Sequence, residues 1–185
     1  MPQRANRFWT IFLLTVLVDI VTKKLAVNRL SPAYVPHNIV DDVLRFTLAY
    51  NPEGAMSFSL GPSSRWWFVL LSIGTLFVLL YMYRQTPRED RLQIASIALI
   101  CGGAVGNLLD RIKSPRGVVD FIDIGIGSHR FWTFNFADLA VTLGTTLLTW
   151  ILCIRAAREE PTGAVVGAPP TPAPALSRTR IDEPN

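Results

Sequence analysis

The chain has 185 residues, half of them hydrophobic, and a mean hydropathy of +0.31. This composition is unusual for a soluble globular domain and favours a one-domain membrane protein. The net charge of +4 does not indicate nucleic-acid binding, because Lys and Arg lie scattered at the ends of apolar runs. The His and Cys residues do not cluster, so no metal site is expected, and Cys101 and Cys153 are expected to be buried free thiols.

Four apolar segments are long enough to cross a bilayer core of about 30 Å, which takes about 17–25 helical residues. They are Phe8 to Val27, Trp66 to Tyr83, Leu92 to Leu109 and Phe136 to Ile154. Asp19 and Lys23 interrupt the first segment and no small-residue cleavage site follows it, so we expect a retained helix rather than a signal peptide. Four spans put both termini on one side, and the Arg-rich turn from Arg84 to Arg91 predicts that this side is cytoplasmic.

The outer loops, about residues 28–65 and 111–133, contain strand-like patterns. Residues alternate between apolar and polar from Leu44 to Asn51, and the turn from Asn51 to Gly54 leads into a second predicted strand, Ala55 to Ser59. The stretch from Val118 to Ile124 can add a further strand. The predicted fold class is therefore an all-α membrane protein with four transmembrane helices and a small extracytoplasmic β-sheet between helices 1 and 2.

The predicted membrane domain covers residues 1–158. Beyond Arg158 the composition changes to Pro, Ala, Gly and Thr with few large apolar residues. Residues 159–185 are therefore expected to form a disordered cytoplasmic tail.

Polar residues lie within the predicted spans. Asp19 and Lys23 are four residues apart, so they share a helix face and can form an ion pair that makes this face tolerable inside the bundle. Near the end of the third span, Asn107, Asp110 and Arg111 can be explained as cross-helix hydrogen bonds and an interfacial arginine. The GGAVG run in that span would let another helix approach closely.

Asp138 lies just inside the fourth apolar span, where a charge is costly and a functional role is the default hypothesis. A structural explanation is also open, because Asn135 can cap this helix with Asp138 at its third position. The two explanations are compatible, since a helix N-terminus lowers the pKa of one carboxyl and makes two acids unequal. A second acid comes from Asp120 or Asp123, which point to opposite faces if their segment is a strand.

Four short motifs occur in order along the chain: DIVTK (Asp19 to Lys23), GNLLDR (Gly106 to Arg111), GVVDFI (Gly117 to Ile122) and FNFAD (Phe134 to Asp138). Together they resemble the lipoprotein signal peptidases, also called signal peptidase II. Each motif is weak alone, but the set covers the whole chain except the tail.

The resemblance implies an aspartic endopeptidase of the bacterial inner membrane, with its site at the extracytoplasmic face. Such an enzyme removes the signal peptide from diacylglyceryl-modified prolipoproteins, cutting before the lipidated cysteine. It implies that Asp120, rather than Asp123, forms the catalytic dyad with Asp138. Supporting or substrate-contacting roles are implied for the other matched positions: Asp19, Lys23, Asn51, Gly54, Asn107, Asp110, Arg111 and Asn135. No cofactor is expected, and the expected partners are prolipoprotein substrates and membrane lipids, with the protein a monomer.

Two positions depart from the family pattern. The chain reads NPEGAMSF, with one extra residue between Asn51 and Gly54, which affects the role of Asn51 and the register of the sheet. Leu139 follows the second aspartate where the family often has Ser, and the acid chemistry does not require that residue.

The expected mechanism is water attack promoted by two carboxylates that share a proton, with Asp138 the ionised member because of its helix N-terminus. Arg111 is expected to meet a lipid phosphate or steer the substrate, and Trp66, Trp67 and Trp132 to lie near the interface. The main alternative is a small transporter or channel subunit that uses Asp19, Lys23 and Asp138 as an ion path. A presenilin-like protease lacks support because Gly-x-Gly-Asp is absent, and a scaffold would tolerate loss of either aspartate.

Overall fold

The computed structural model describes residues 2–52, 54, 60–61 and 63–159 of the chain. In chain order the elements are α1 (Pro2–Arg29), β1 (Pro36–Val40), β2 (Leu44–Asn51), α2 (Ser64–Gln85), α3 (Arg91–Lys113), β3 (Val118–Ile126), β4 (His129–Arg130) and α4 (Phe136–Glu159). Each predicted apolar segment lies inside one of the four helices. The predicted second strand, Ala55 to Ser59, and the predicted tail beyond Glu159 fall outside the described residues.

Three helices, α2, α3 and α4, are long and apolar enough to cross a membrane. The fourth, α1, has 28 residues and a length of about 42 Å, but Asp19, Lys23 and Lys24 lie within its apolar run. Many of its apolar side chains nevertheless face outward; Leu13, for example, is 58% exposed. The prediction that α1 also crosses the membrane therefore remains a prediction.

The bundle is built around α3, which packs against each of the other three helices. Its residues Ile94, Ile97, Ala98 and Cys101 form the centre of the apolar core. The predicted close helix approach at the GGAVG run is confirmed, since a Cβ on Gly103 would overlap the backbone carbonyl of Ala137 in α4. Small residues thus set the spacing between α3 and its neighbours.

The four strands form one antiparallel sheet in the order β1-β2-β3-β4. The predicted strands Leu44 to Asn51 and Val118 to Ile124 are confirmed as β2 and β3. Of the strands in the described part of the chain, β1 and β2 lie between the first two helices, and β3 and β4 lie in the loop between α3 and α4. The predicted sheet between helices 1 and 2 therefore also takes strands from the second loop, since β3 pairs along β2 with Ala49 opposite Asp120. Sequence patterning did not predict β1, whose five residues are all exposed, or the two-residue β4.

An ionic brace holds the outer end of the sheet. Arg130 donates to Asp123 Oδ1 (2.6 Å) and to the Asp42 backbone oxygen (2.8 Å). The Asp42 carboxylate pairs with Arg45 and accepts from the Gly127 backbone N–H. The β1–β2 turn is thereby tied to the β3–β4 turn.

The sheet lies at the end of the bundle where α1 and α3 end and α2 and α4 begin, and it contacts α1 and α3. At the opposite end, Arg4 donates to the Tyr83 carbonyl, and Arg155 pairs with Asp90, which caps α3. The beginning of α1, the α2–α3 turn and the end of α4 therefore share this second end.

The expectation for the cysteines is partly wrong. Cys101 is buried against the core of α3, but Cys153 lies on the outer surface of α4 and is exposed. An apolar run that crosses a membrane can turn any of its faces toward lipid, so an apolar context does not by itself predict burial in protein.

Gly103→Ala should lower the thermal unfolding temperature of the purified protein in detergent. The added methyl group overlaps the Ala137 carbonyl and forces α3 and α4 apart, which typically costs about 1–3 kcal/mol. Gly74→Ala on α2 is the matched control, because nothing lies within 4 Å of its Cβ position and Ala is the better helix former. Equal effects of the two substitutions would contradict this description of the α3–α4 contact.

Candidate active site

The N-terminus of α4 is closed by a reciprocal cap. The Asp138 backbone N–H donates to Asn135 Oδ1 (3.0 Å), and the Asn135 backbone N–H donates to Asp138 Oδ2 (3.1 Å). This is the predicted capping-box arrangement, and it orders the short segment that joins β4 to α4. The cap also fixes where the Asp138 carboxylate lies at the positive end of the helix.

Asn135 connects the two aspartates predicted to form the dyad. Its side-chain Nδ2 donates to Asp120 Oδ1 (2.7 Å), while its backbone N–H binds Asp138. Asn135 is fully buried, and Asp120 is only 4% exposed. One residue therefore holds carboxyl groups that come from β3 and α4.

Asp123 takes part in a different set of contacts. It accepts from Arg130, as part of the ionic brace at the outer end of the sheet, and from Thr47 Oγ1 (3.1 Å) on β2. Asp120 and Asp123 are three residues apart on β3, so their side chains leave opposite faces of the strand. The expectation that only one of them can lie near Asp138 agrees with this geometry.

A buried lysine lies behind the two aspartates. Lys23 Nζ contacts Asp19 Oδ2 (2.8 Å), Asp110 Oδ2 (2.8 Å) and Asn107 Oδ1 (2.9 Å), which confirms the predicted ion pair with Asp19. Asn107 then donates from Nδ2 to Asp138 Oδ1 (2.7 Å) and accepts from Asn135 Nδ2 (3.1 Å). A continuous set of hydrogen bonds therefore runs from α1 through α3 to both aspartates.

Asp19 and Asp110 also have backbone partners: Asp19 through its second oxygen, and Asp110 through the same oxygen that contacts Lys23. Asp19 Oδ1 accepts from the Ala137 backbone N–H (3.0 Å) at the first turn of α4, and Asp110 Oδ2 accepts from the Val119 N–H (3.3 Å) on β3. Each acid thus fixes a segment next to Asp120 or Asp138. We refer to Asp19, Lys23, Asn107, Asp110, Asp120, Asn135 and Asp138 as the polar cluster.

The two aspartates line one cavity of about 440 Å³. Its walls come from α2, α3, α4, β3, the end of β2 and the segment before α4. The lining that sequence analysis did not single out is Phe68, Leu71, Ser72, Thr75, Ile100, Ala104, Val118, Phe131, Thr133, Phe134, Val141 and Thr142. A signal for part of it was present, because residues 68, 72 and 75 have the spacing of one helix face.

The other predicted site residues surround this cavity. Asn51 lines it and donates to the Gly54 carbonyl (3.2 Å), so the extra residue in this loop does not remove Asn51 from the site. Gly54 is buried, and a Cβ there would overlap the Phe68 ring. Arg111 also lines the cavity, with its guanidinium 5.5 Å from the centre of the same ring. Of the predicted interfacial tryptophans, Trp132 lies in the cavity wall.

Burial raises the pKa of Asp120, and the nearby Asp138 charge raises it further. Hydrogen bonds from Asn135 and Asn51 and the charge of Lys23 act in the opposite direction, and the net result is a pKa of about 7. At neutral pH, Asp120 can therefore either hold or release a proton. Among the described residues, no group of three His, Cys, Asp or Glu side chains is placed to hold a metal ion.

Known proteins match most of the chain. The family model described as "Signal peptidase (SPase) II" matches residues 11–154. A lipoprotein signal peptidase of Teredinibacter turnerae is 34% identical over 79% of this chain and 86% of its own length. Relatives with the same name from Hydrogenovibrio crunogenus and Burkholderia mallei are 36% and 37% identical, over 74% and 76% of this chain and 78% and 83% of their own lengths.

Solved structures agree with this match. Two structures of bacterial membrane enzymes superpose with TM-scores of 0.70 and 0.69 at 25% and 28% sequence identity. They cover 85% and 78% of this chain and 94% and 91% of their own chains. With the family model covering the sheet, α2, α3 and most of α1 and α4, this chain belongs to the signal peptidase II family.

Proposed function

We propose that this membrane peptidase removes signal peptides from diacylglyceryl-modified prolipoproteins, cutting before the lipidated cysteine, with Asp120 and Asp138 as its catalytic pair. The family and the names of the relatives support peptidase activity on lipoprotein precursors. The observation that carries the residue assignment is that Asn135 bonds to both carboxylates at the wall of one cavity.

The proposed chemistry is general acid–base hydrolysis. Asp138 takes a proton from a water molecule as the water attacks the scissile carbonyl carbon, and Asp120 gives its proton to the carbonyl oxygen. The neutral tetrahedral intermediate collapses as Asp138 passes its proton to the leaving amine nitrogen and Asp120 takes a proton back from a hydroxyl of the intermediate. No covalent bond to the enzyme forms. Two acids held together in this way titrate as a pair rather than separately.

The cavity walls support a lipid-modified substrate. The apolar parts of the cavity wall include Phe68 and Leu71 on α2 and Val141 on α4. Apolar walls suit an apolar signal segment and acyl chains, which would enter sideways from the bilayer between α2 and α4. The small polar side chains of Ser72, Thr75 and Thr142 in the same walls could bind backbone groups of an extended segment.

The proposed topology has four membrane spans in the bacterial inner membrane, with the sheet and both aspartates at the extracytoplasmic face. The common end that contains the beginning of α1, the α2–α3 turn and the end of α4 would then be cytoplasmic. The Arg-rich α2–α3 turn supports this orientation. The outward-facing apolar side chains of α1 support its insertion as the fourth span.

The ion-path alternative is not favoured. A path across the membrane requires polar groups through its depth, whereas the polar cluster lies in the half of the bundle nearest the sheet. In the other half, the core is formed by apolar residues such as Phe8, Ile94 and Leu148, and the buried polar side chains there include the uncharged Gln93 and Ser96.

Two precursor peptides that differ only in the lipid on their cysteine would test the proposed requirement for a lipidated substrate. The purified enzyme should cut a peptide whose cysteine carries a diacylglyceryl group and leave the same peptide with an unmodified cysteine largely intact, because the acyl chains bring the substrate into the bilayer and the cavity. Mass spectrometry of the products gives the cleavage position. Equal cleavage of both peptides would contradict the proposed lipid requirement.

Asp120→Asn and Asp138→Asn should each lower kcat by about 10²–10⁴-fold, since each removes one member of the acid–base pair. Asp123→Asn is the matched control. It changes a buried aspartate on the same strand as Asp120, but this aspartate bonds to Arg130 in the ionic brace. In this control, kcat per folded molecule should stay close to that of the wild type. A dyad variant as active as the control would exclude that residue from the chemistry.

The pH dependence should follow the raised pKa of Asp120. Below a pH of about 7 this carboxyl keeps its proton and can act as the acid, and above it the proton is lost. We therefore expect kcat/KM to fall about tenfold per pH unit on the alkaline side of pH 7. Rates measured from pH 5 to 9 on the lipidated peptide test this, and a flat profile to pH 9 would refute the assignment.

A further inference from the structure

Lys23 is the one cation among the seven residues of the polar cluster, and it is almost completely buried, with 4% exposure. Its ammonium group has three protons and no acceptor. Its three short contacts, to Asp19, Asp110 and Asn107, therefore all have the lysine as donor. The contact to Asn107 holds the side-chain oxygen of that amide toward α1, and the same oxygen accepts a second, longer bond from Asn135 Nδ2 (3.1 Å).

The orientation of Asn107 determines what reaches Asp138. With Oδ1 held by Lys23, the Nδ2 group must point the other way, and it lies 2.7 Å from Asp138 Oδ1. The second oxygen, Oδ2, accepts from the Asn135 backbone N–H, which can only donate. Both oxygens of Asp138 thus face donors that cannot become acceptors, and this arrangement suits a carboxylate.

Asp120 is not held by an amide that the lysine orients. Its carboxyl accepts from the side chains of Asn135 and Asn51, and it is more deeply buried than the half-buried Asp138. Burial disfavours the charged form, so a proton shared by the pair is better placed on Asp120.

Building on the proposed function, we infer that Lys23 is a positioning residue which, by holding the Asn107 amide with its NH₂ group toward Asp138, makes Asp138 the ionised base and leaves the shared proton on Asp120. Lys23 does not contact the reacting atoms in this scheme. Its role passes through one amide, and it differs from simple stabilisation of the helix bundle by the Asp19 ion pair.

The pair is surrounded by charges on several elements. From α1 come Lys23 and Asp19, and from α3 come Asp110 and Arg111, which donates to the Asn107 backbone oxygen (3.3 Å). Among these groups, Lys23 contacts the side-chain amide that binds Asp138. A test must therefore separate its effect through Asn107 from its effect as a nearby charge.

The first measurement is the pH profile of kcat/KM for Lys23→Met in the full-length enzyme with the lipidated peptide. Without the lysine, Asn107 loses the charged one of the two described donors to its oxygen and can turn that oxygen toward Asp138. Ionisation of the base then becomes harder, and the acidic limb of the profile should move up by about one pH unit. On the acidic side of the profile kcat should fall, with KM within about twofold of wild type. Lys23→Arg, which keeps a donor-only cation, should restore the profile at least in part.

A double-mutant cycle identifies the route. In an Asn107→Ala background, Lys23→Met should cause no further shift of the acidic limb if the lysine acts through this amide. Shifts that add would show a direct effect of charge and overturn the inference, as would an unshifted limb in Lys23→Met itself. Arg155→Met, which breaks an ion pair at the far end of the bundle, is the control for general loss of stability and should leave the profile unchanged.

Two further comparisons cover a variant that does not fold and a wild-type protein that is inactive. If Lys23→Met does not fold, Lys23→Met combined with Asp110→Asn removes one charge of each sign, and its profile is compared with that of Asp110→Asn alone. An inactive wild-type protein would contradict the proposed function, whereas an active enzyme whose pH profile does not respond to Lys23 contradicts this inference alone.

Discussion

Carboxyl groups inside an apolar helix bundle are costly unless donors surround them, and this constraint organises the whole end of the protein near the sheet. The cluster contains four acids and one lysine, and the backbone supplies the missing donors. N–H groups from the start of α4 and from β3 bind Asp19, Asp138 and Asp110. The helices and the sheet therefore have to meet where they do, because each provides groups that another needs.

The same contacts do structural and chemical work at once. Asn135 caps the start of α4 and also binds Asp120, so the cap that fixes the helix start also fixes the distance between β3 and α4. The glycines of α3 have a comparable double effect. A Cβ on Gly106 would overlap the Asp19 carboxylate, so the absence of a side chain there leaves room for the polar cluster as well as for close helix packing.

Sequence patterns predicted the local parts of this structure well. Apolar runs located all four helices, strict alternation located β2, and the spacing of Asn135 and Asp138 predicted their mutual cap. These features depend on residues close together in the chain. Long-range pairing was harder: β1 is exposed and has no alternating pattern of burial, and the sheet takes half its strands from a loop about 70 residues later in the chain. The contact of Lys23 with Asn107 joins two helices, and no local pattern encodes it.

The way the polar cluster and the cavity wall are divided among the helices affects how such an enzyme can evolve. The polar cluster draws on α1, α3, β3 and α4, whereas α2 supplies apolar and small polar wall to the cavity and packs mainly against α3. One wall of the cavity is thus carried by an element that contributes no residue to the polar cluster, whereas α3, α4 and β3 contribute to both. Side chains on α2 can change in size, and precursors with different apolar segments can be accommodated, without disturbing a single bond of the buried acids.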